Sequence, residues 1–171
     1  MIIRMETRAD HEKVYDVHRQ AFGGREEESK LVERIRRSDQ FVPELSLVAE
    51  MNDEIVGHAL LSVAHIVNGE DRHEVLALAP IAVKPSHQRE GIGGQLIDEG
   101  LRRGRERGYD AVFVIGHPTY YPRFGFVPAG PRGFELKQFE VPENVFMVCE
   151  LSDGALSNIT GELVYPPAFM E

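Results

Sequence analysis

The residues with the clearest chemical potential form a glycine-rich turn, Gln88-Arg89-Glu90-Gly91-Ile92-Gly93-Gly94. It lies between an apolar run ending Ile81-Ala82-Val83 and a helical pattern carrying Leu96, Ile97 and Leu101. A strand feeding such a turn and then a helix makes an anion site. The N–H groups of the first helical turn lack intrahelical partners, the helix dipole adds about half a positive charge, and glycines let a pyrophosphate approach the backbone closely. Two other nucleotide patterns fail on residues: Gly-x-Gly-x-x-Gly needs glycine where Leu96 stands, and a P-loop needs Lys and Ser/Thr where Gln95 and Leu96 follow Gly94. Further on, His117 precedes the doublet Tyr120-Tyr121 and the run Pro122-Arg123-Phe124-Gly125-Phe126. An imidazole with an ordinary pKa near ~6.5 suits base work, so His117 is a candidate base. Glu50, His58 and His65 are further titratable candidates on β-type runs, and the run Arg102, Arg103, Arg105 and Arg107 offers guanidinium partners for a phosphate.

The elements that must position these groups follow from periodicity. A strand is predicted over 2–6, followed by a helix that Thr7 caps and whose apolar positions are Val14, Val17, Ala21 and Phe22; Gly23-Gly24 ends it. A second helix is predicted over 25–37, with Glu26, Glu27 and Glu28 in its first turn and Arg36 and Arg37 in its last, as the helix dipole favours. Runs 45–51, 55–67 and 75–83, separated by Asn52-Asp53 and Asn68-Gly69, read as an antiparallel meander. The helix after the glycine turn runs to Arg107 and stops at Gly108. The wholly apolar run 111–115 is then a buried strand reached by a crossover and so parallel to its predecessor. A short turn or helix over 117–126 and strands near 133–136 and 145–151 complete the reading. Residues 152–171 form a C-terminal extension, without a predicted element, of one domain spanning 1–171.

The chain's 171 residues, 42% hydrophobic and 27% charged, are those of an ordinary soluble globular domain. A net charge of −9 argues against general nucleic-acid binding, which depends on accumulated positive charge. No apolar stretch follows the N-terminus or is long enough to span a bilayer, so no membrane association is expected. The single cysteine, Cys149, sits in an apolar run and reads as a buried hydrophobe. It leaves no room for an internal disulfide or a Cys-based metal site, which fits a cytoplasmic setting, and no metal is expected. The sequence does not set the oligomeric state; a homodimer is compatible with it.

The pattern Gln88-x-x-Gly91-x-Gly93, after a strand ending Ile81-Ala82-Val83, resembles the acetyl-coenzyme A motif of the GNAT superfamily of N-acetyltransferases. The segment Tyr121 to Phe126 resembles the family's Tyr-x-x-x-Gly-Phe. Both motifs fall in the family's element order over residues 2–151, and the tyrosine doublet is most similar to the bacterial YhbS-like subgroup. The resemblance implies a mixed α/β fold, with a central, mostly antiparallel sheet, a splayed parallel strand pair and flanking helices. It implies that acetyl-coenzyme A is the co-substrate, that Ile81, Ala82 and Val83 offer backbone to pantetheine, and that Gln88, Arg89, Glu90, Gly91, Ile92, Gly93 and Gly94 cradle the pyrophosphate. Pro80, which cannot donate within a central strand, would mark the bulge where the strands splay. Tyr121 aligns with the family's general acid, whereas Ala77 stands where some members place a glutamate base. The implied reaction is direct acetyl transfer, through a ternary complex, to a primary amine of a small molecule or protein. The alternative is a non-catalytic acyl-coenzyme A-binding or regulatory module.

Overall fold

The computed structural model describes all 171 residues. Strand β1 (Ile2–Met5) leads through a 3₁₀ turn at Arg8–Asp10 into α1 (His11–Ala21), and α2 (Glu27–Arg36) follows. Thr7 and Asp10 form a capping box at this entry, Thr7 N–H donating to Asp10 Oδ2 at 2.7 Å. The meander is β2 (Phe41–Met51), β3 (Glu54–Asn68) and β4 (Asp71–Val83), each strand longer than its apolar run predicts. Then come α3 (Ile92–Glu106), β5 (Ala111–Ile115), β6 (Val127–Pro128), β7 (Phe134–Glu135), β8 (Phe146–Glu150) and β9 (Gly161–Val164). The sheet order is β1-β2-β3-β4-β5-β8-β6, antiparallel except for the β4–β5 pair. The crossover through α3 makes that pair parallel, as the apolar run of β5 requires.

Strand β9 lies within residues 152–171. It pairs antiparallel with β3 from His65↔Val164 to Val67↔Glu162, and parallel with β7 at Phe134↔Gly161. It takes over the edge of β3 that β2 leaves beyond Ser62. Leu156, Leu163, Tyr165 and Ala168 are buried, so this segment packs as core. No helix is long and apolar enough to cross a membrane.

The sheet separates two layers. Helix α3 covers one face through Leu96, Ile97 and Leu101, against Leu61, Leu76, Leu78, Val112 and Val114. The approach is close: a Cβ at Gly100 would lie 2.8 Å from Leu61 Cδ1. On the other face α1 and α2 bring Val14, Val17, Val32 and Ile35 onto Val48 and Leu60, while Leu163 and Tyr165 join Ala64, Ala77 and Phe113. Under α1 and α2 lies a buried polar chain. His18 Nε2 meets His58 Nδ1 at 2.8 Å, His58 Nε2 meets Ser46 Oγ at 2.9 Å, and Glu6 accepts two hydrogen bonds from Arg36 at 2.9 and 2.8 Å.

Burial holds both imidazoles neutral, His58 down to about 3 and His18 well below its ordinary value. The unfolded chain takes up protons near pH 6.5 while the folded chain does not. Stability is therefore full above that pH and falls below it, by up to about 1.4 kcal/mol per pH unit for each imidazole. The urea midpoint should drop clearly between pH 7 and pH 5, above the range where Asp10, held at about 2 by Arg4, begins to protonate. An unchanged midpoint would count against neutral burial of the pair.

Candidate active site

The β3–β4 ladder slips between Ala59↔Ile81 and Leu61↔Leu78, so Ala79 and Pro80 together face the single residue Leu60. The Ala79-Pro80 peptide is cis. This bulge is the interruption expected at Pro80. On its other edge β4 pairs with β5 only at Leu76↔Val112 and Ala77↔Phe113, although β4 runs on to Val83 and β5 to Ile115. The strands therefore part beyond Ala77. From Leu78 to Val83 the edge of β4 facing β5 has no strand partner, while Ile81, Ala82 and Val83 remain registered with Ala59, His58 and Gly57 on β3.

The freed edge ends at the glycine turn. Gly91 caps α3 with φ +82°, a conformation glycine adopts without strain, and Arg89 has φ +67°. The first N–H of this helix with a helical acceptor is that of Gln95, bonded to Gly91 O at 3.1 Å, so those of Ile92, Gly93 and Gly94 lack one. The exposed Gln88 side chain reaches back along the turn; its Nε2 donates to Val83 O at 3.0 Å and ties the turn to the end of β4. A cavity of about 490 Å³ opens here, lined by Val83, His87, Gln88, Arg89, Gly91, Ile92, Gly93, Tyr120 and Arg123. Free N–H groups, a helix N-terminus and two guanidiniums suit an anionic group of pyrophosphate size. Glu90 is exposed and outside this lining.

Tyr121 begins a 3₁₀ turn, Tyr121–Phe124, and is 8% exposed in the α3-side cluster. Its ring packs edge-on to Phe126 at 5.5 Å and lies against Gly116. Burial pushes its hydroxyl up to about 12, so it carries its proton at neutral pH. Sequence reasoning assigned Tyr120 no site role, yet its hydroxyl lies 3.2 Å from where a Cβ on Gly93 would stand, and Arg123 stacks over its ring at 5.5 Å. The one available signal was the cation in Tyr-Pro-Arg-Phe, three residues after Tyr120.

Other candidates lie elsewhere. The side chain of His117 is exposed, and its carbonyl accepts the N–H groups of Tyr120 and Tyr121 at 3.2 and 3.4 Å, so its contribution on the page is to the turn. The arginine run is not a phosphate site: Arg102 and Arg103 are paired with Glu99, and Arg105 Nε donates to Leu151 O. Glu50 accepts from Arg4 at 2.8 Å, His58 is sealed beneath α1, and His65 stands 4.0 Å from Glu74. The Cys149 thiol is buried and pushed up by that burial, as a structural cysteine should be. No group of three metal-ligating side chains comes together.

The sequence model of the acetyltransferase (GNAT) domain matches residues 2–129. This chain belongs to the GNAT acetyltransferase family. Among curated GNAT relatives, the Escherichia coli N-acetyltransferase YjhQ is 38% identical over 137 residues, covering 80% of this chain and 75% of its own. The Escherichia coli N-acetyltransferase YhbS is 35% identical over 170 residues, covering 99% and 98%. The crystal structure of Escherichia coli YhbS in complex with CoA superposes with a TM-score of 0.90, covering 99% of this chain and 92% of that one, at 29% identity in the structural alignment. A Brucella melitensis GNAT acetyltransferase in complex with acetyl-CoA superposes with a TM-score of 0.78, at 28% identity and 98% and 97% coverage. The mostly antiparallel sheet with its parallel β4–β5 pair is the GNAT fold.

The Tyr121 ring depends on the bare backbone of Gly116, where a Cβ would stand 2.3 Å from Cε2. Gly116→Ala should therefore destabilise the protein by about 1–3 kcal/mol in urea unfolding and alter the near-ultraviolet tyrosine signal. A wild-type midpoint would show that the ring is not held there.

Proposed function

We propose that the protein transfers the acetyl group of acetyl-coenzyme A directly to a primary amine within a ternary complex. The observation that carries this reading is the unpartnered edge of β4 leading into the N-terminus of α3, with the protonated Tyr121 buried in the apolar cluster that Leu78 of that edge also joins. Pantetheine would add to the Ile81–Val83 edge as an extra strand does, and the Gln88–Gly94 backbone would take the pyrophosphate. Arg123, steadied by Tyr120, and Arg89 supply the positive charge that the sequence reading sought in the arginine run. GNAT relatives with CoA and acetyl-CoA bound support this use of the cavity.

In the proposed step a neutral amine attacks the thioester carbonyl. A C–N bond forms, the oxyanion is stabilised by backbone N–H near Ile81 and Ala82, the C–S bond breaks as Tyr121 gives its proton to the departing thiolate, and the acylated nitrogen loses one N–H proton to solvent, from which the Tyr121 phenolate is reprotonated. A lysine-like amine is neutral only about one part in 2,500 at pH 7, equivalent to roughly 4.6 kcal/mol. The attacking amine must therefore shed its proton before the step, and neither Ala77 nor the exposed His117 gives this reading a seated carboxylate or imidazole base. The residues of 1–171 act in this reading as a single domain, in a cytoplasmic setting.

Titration with acetyl-coenzyme A by calorimetry, followed by thiol release against an amine panel, tests the reading: binding with amine-dependent release is expected, and binding without release overturns the transferase. Tyr121→Phe should lower kcat by about 10²-fold with coenzyme affinity unchanged. Gly93→Val, which crowds Tyr120 and Val83, should instead weaken coenzyme binding about tenfold or more. Equal affinity in that variant would remove the pyrophosphate from this turn.

A further inference from the structure

On the face of the sheet away from α3, two hydroxyls flank the point where β4 and β5 part. Side chains alternate along β3: Leu61 and Val63 belong to the α3 cluster, Leu60 and Ala64 to the clusters opposite, so Ser62 points away from α3. Ser62 pairs with Ala77, and Ala77↔Phe113 is the last pair before the strands separate. Its side chain is fully buried, and its Oγ has no hydrogen-bond partner. Tyr165 follows directly on Val164, the partner of His65, and shares one apolar cluster with Ala64, Ala77 and Phe113. The backbone N–H of Tyr165 is bonded to Gln138 Oε1 at 2.7 Å, but its hydroxyl, on a residue 3% exposed, bonds to nothing in the chain. Burial raises that hydroxyl well above its ordinary value, so it keeps its proton at neutral pH.

A cavity opens on the far side of two rings that pack on Tyr165. This cavity of about 580 Å³ lies between α2 and the C-terminal segment, with Leu31, Phe139 and Phe169 among its walls. The rings of Phe139 and Phe169 pack edge-on against Tyr165 at 5.4 and 5.0 Å. Three buried side-chain atoms in the chain lack a partner; one is Ser62 Oγ and another, Glu28 Oε1, belongs to a residue of this cavity wall. Buried polar atoms are nearly always paired, so the orphaned Ser62 Oγ marks a group whose partner can come from outside the chain.

We propose that the Tyr165 hydroxyl, backed by Ser62, accepts an N–H of the nucleophile entering through this cavity and so aims the nitrogen lone pair at the thioester carbonyl held on the α3 side. This rests on the acetyltransferase reading and adds its acceptor half. Tyr165 contacts the nucleophile, and Ser62 is a positioning residue. Both keep their own protons, and the step changes no bond other than those already described. The hydroxyls lie on the face of the sheet to which Ala77 points, and they orient the amine without taking its proton.

Hydroxylamine, small and largely neutral at pH 7, serves as the probe, with acetyl-coenzyme A as donor and thiol release as readout. Tyr165→Phe keeps the ring packing and should lower kcat/KM for hydroxylamine about tenfold, and Ser62→Ala about three- to tenfold, both binding acetyl-coenzyme A as the wild type does. Ser62→Ala should also melt no lower than the wild type, because it deletes a hydroxyl that bonds to nothing; lost transfer without lost stability is not the mark of a structural residue. The proposal is overturned if both variants stay within twofold of the wild type, if both lose coenzyme affinity in step with activity, or if the wild type binds acetyl-coenzyme A yet shows no hydroxylamine-dependent release. Should Tyr165→Phe fail to fold, Ser62→Ala decides. A wild type that binds no acetyl-coenzyme A fails the underlying reading, and calorimetry on the same samples separates that outcome from the others.

Discussion

Two strands that begin as neighbours and then part impose the main constraint on this molecule. A buried backbone edge without partners is costly, because N–H and C=O groups lose water and gain nothing. The chain limits that cost by shortening the gap. Pro80 contributes no N–H, the bulge opposite Leu60 turns the strand, and Gln88 occupies the carbonyl of Val83. What is left is a short open edge between Leu78 and Val83 that another extended backbone can fill. The helix N-terminus at its end and the phenol at its side are useful because the edge lies between them.

Both faces of the sheet are needed to hold the fork open. Helix α3 presses on one side so closely that Gly100 admits no Cβ beside Leu61. On the other, small residues at Ala64 and Ala77 admit the larger Phe113 and Tyr165. The polar chain from Glu6 through His58 to His18 lies under α1, and its imidazoles are too strongly desolvated to serve as bases near neutrality.

Most of the elements were legible because their signals are local. Glycine at 91, 93 and 94 and the apolar run at 111–115 reflect backbone requirements that no distant residue can supply, and the same holds for the Thr7–Asp10 cap. The site was legible only as far as its backbone. Arg123 and Tyr120 escaped notice because their direction depends on a 3₁₀ turn, whereas the arginines at 102–107 looked free until the helix brought Glu99 beside Arg102 and Arg103. His58 and His18 are 40 residues apart, and no periodicity joins them. Strand β9 was invisible for a related reason: only four residues long, it is defined by partners on β3 and β7 and hardly by its own pattern.

The late position of β9 also orders the events of folding. Its partner β3 lies roughly a hundred residues earlier, so the pairing His65↔Val164 closes one of the longest loops in the chain. During synthesis the meander, α3 and β5 can assemble while β9 is still absent, leaving the face around Ala64 and Ala77 bare. The α3 side of the fork is therefore built from residues available early, and the opposite side is finished by the last strand to arrive. A nascent chain would acquire the glycine turn and the parted strands before it acquires a closed wall on the opposite face.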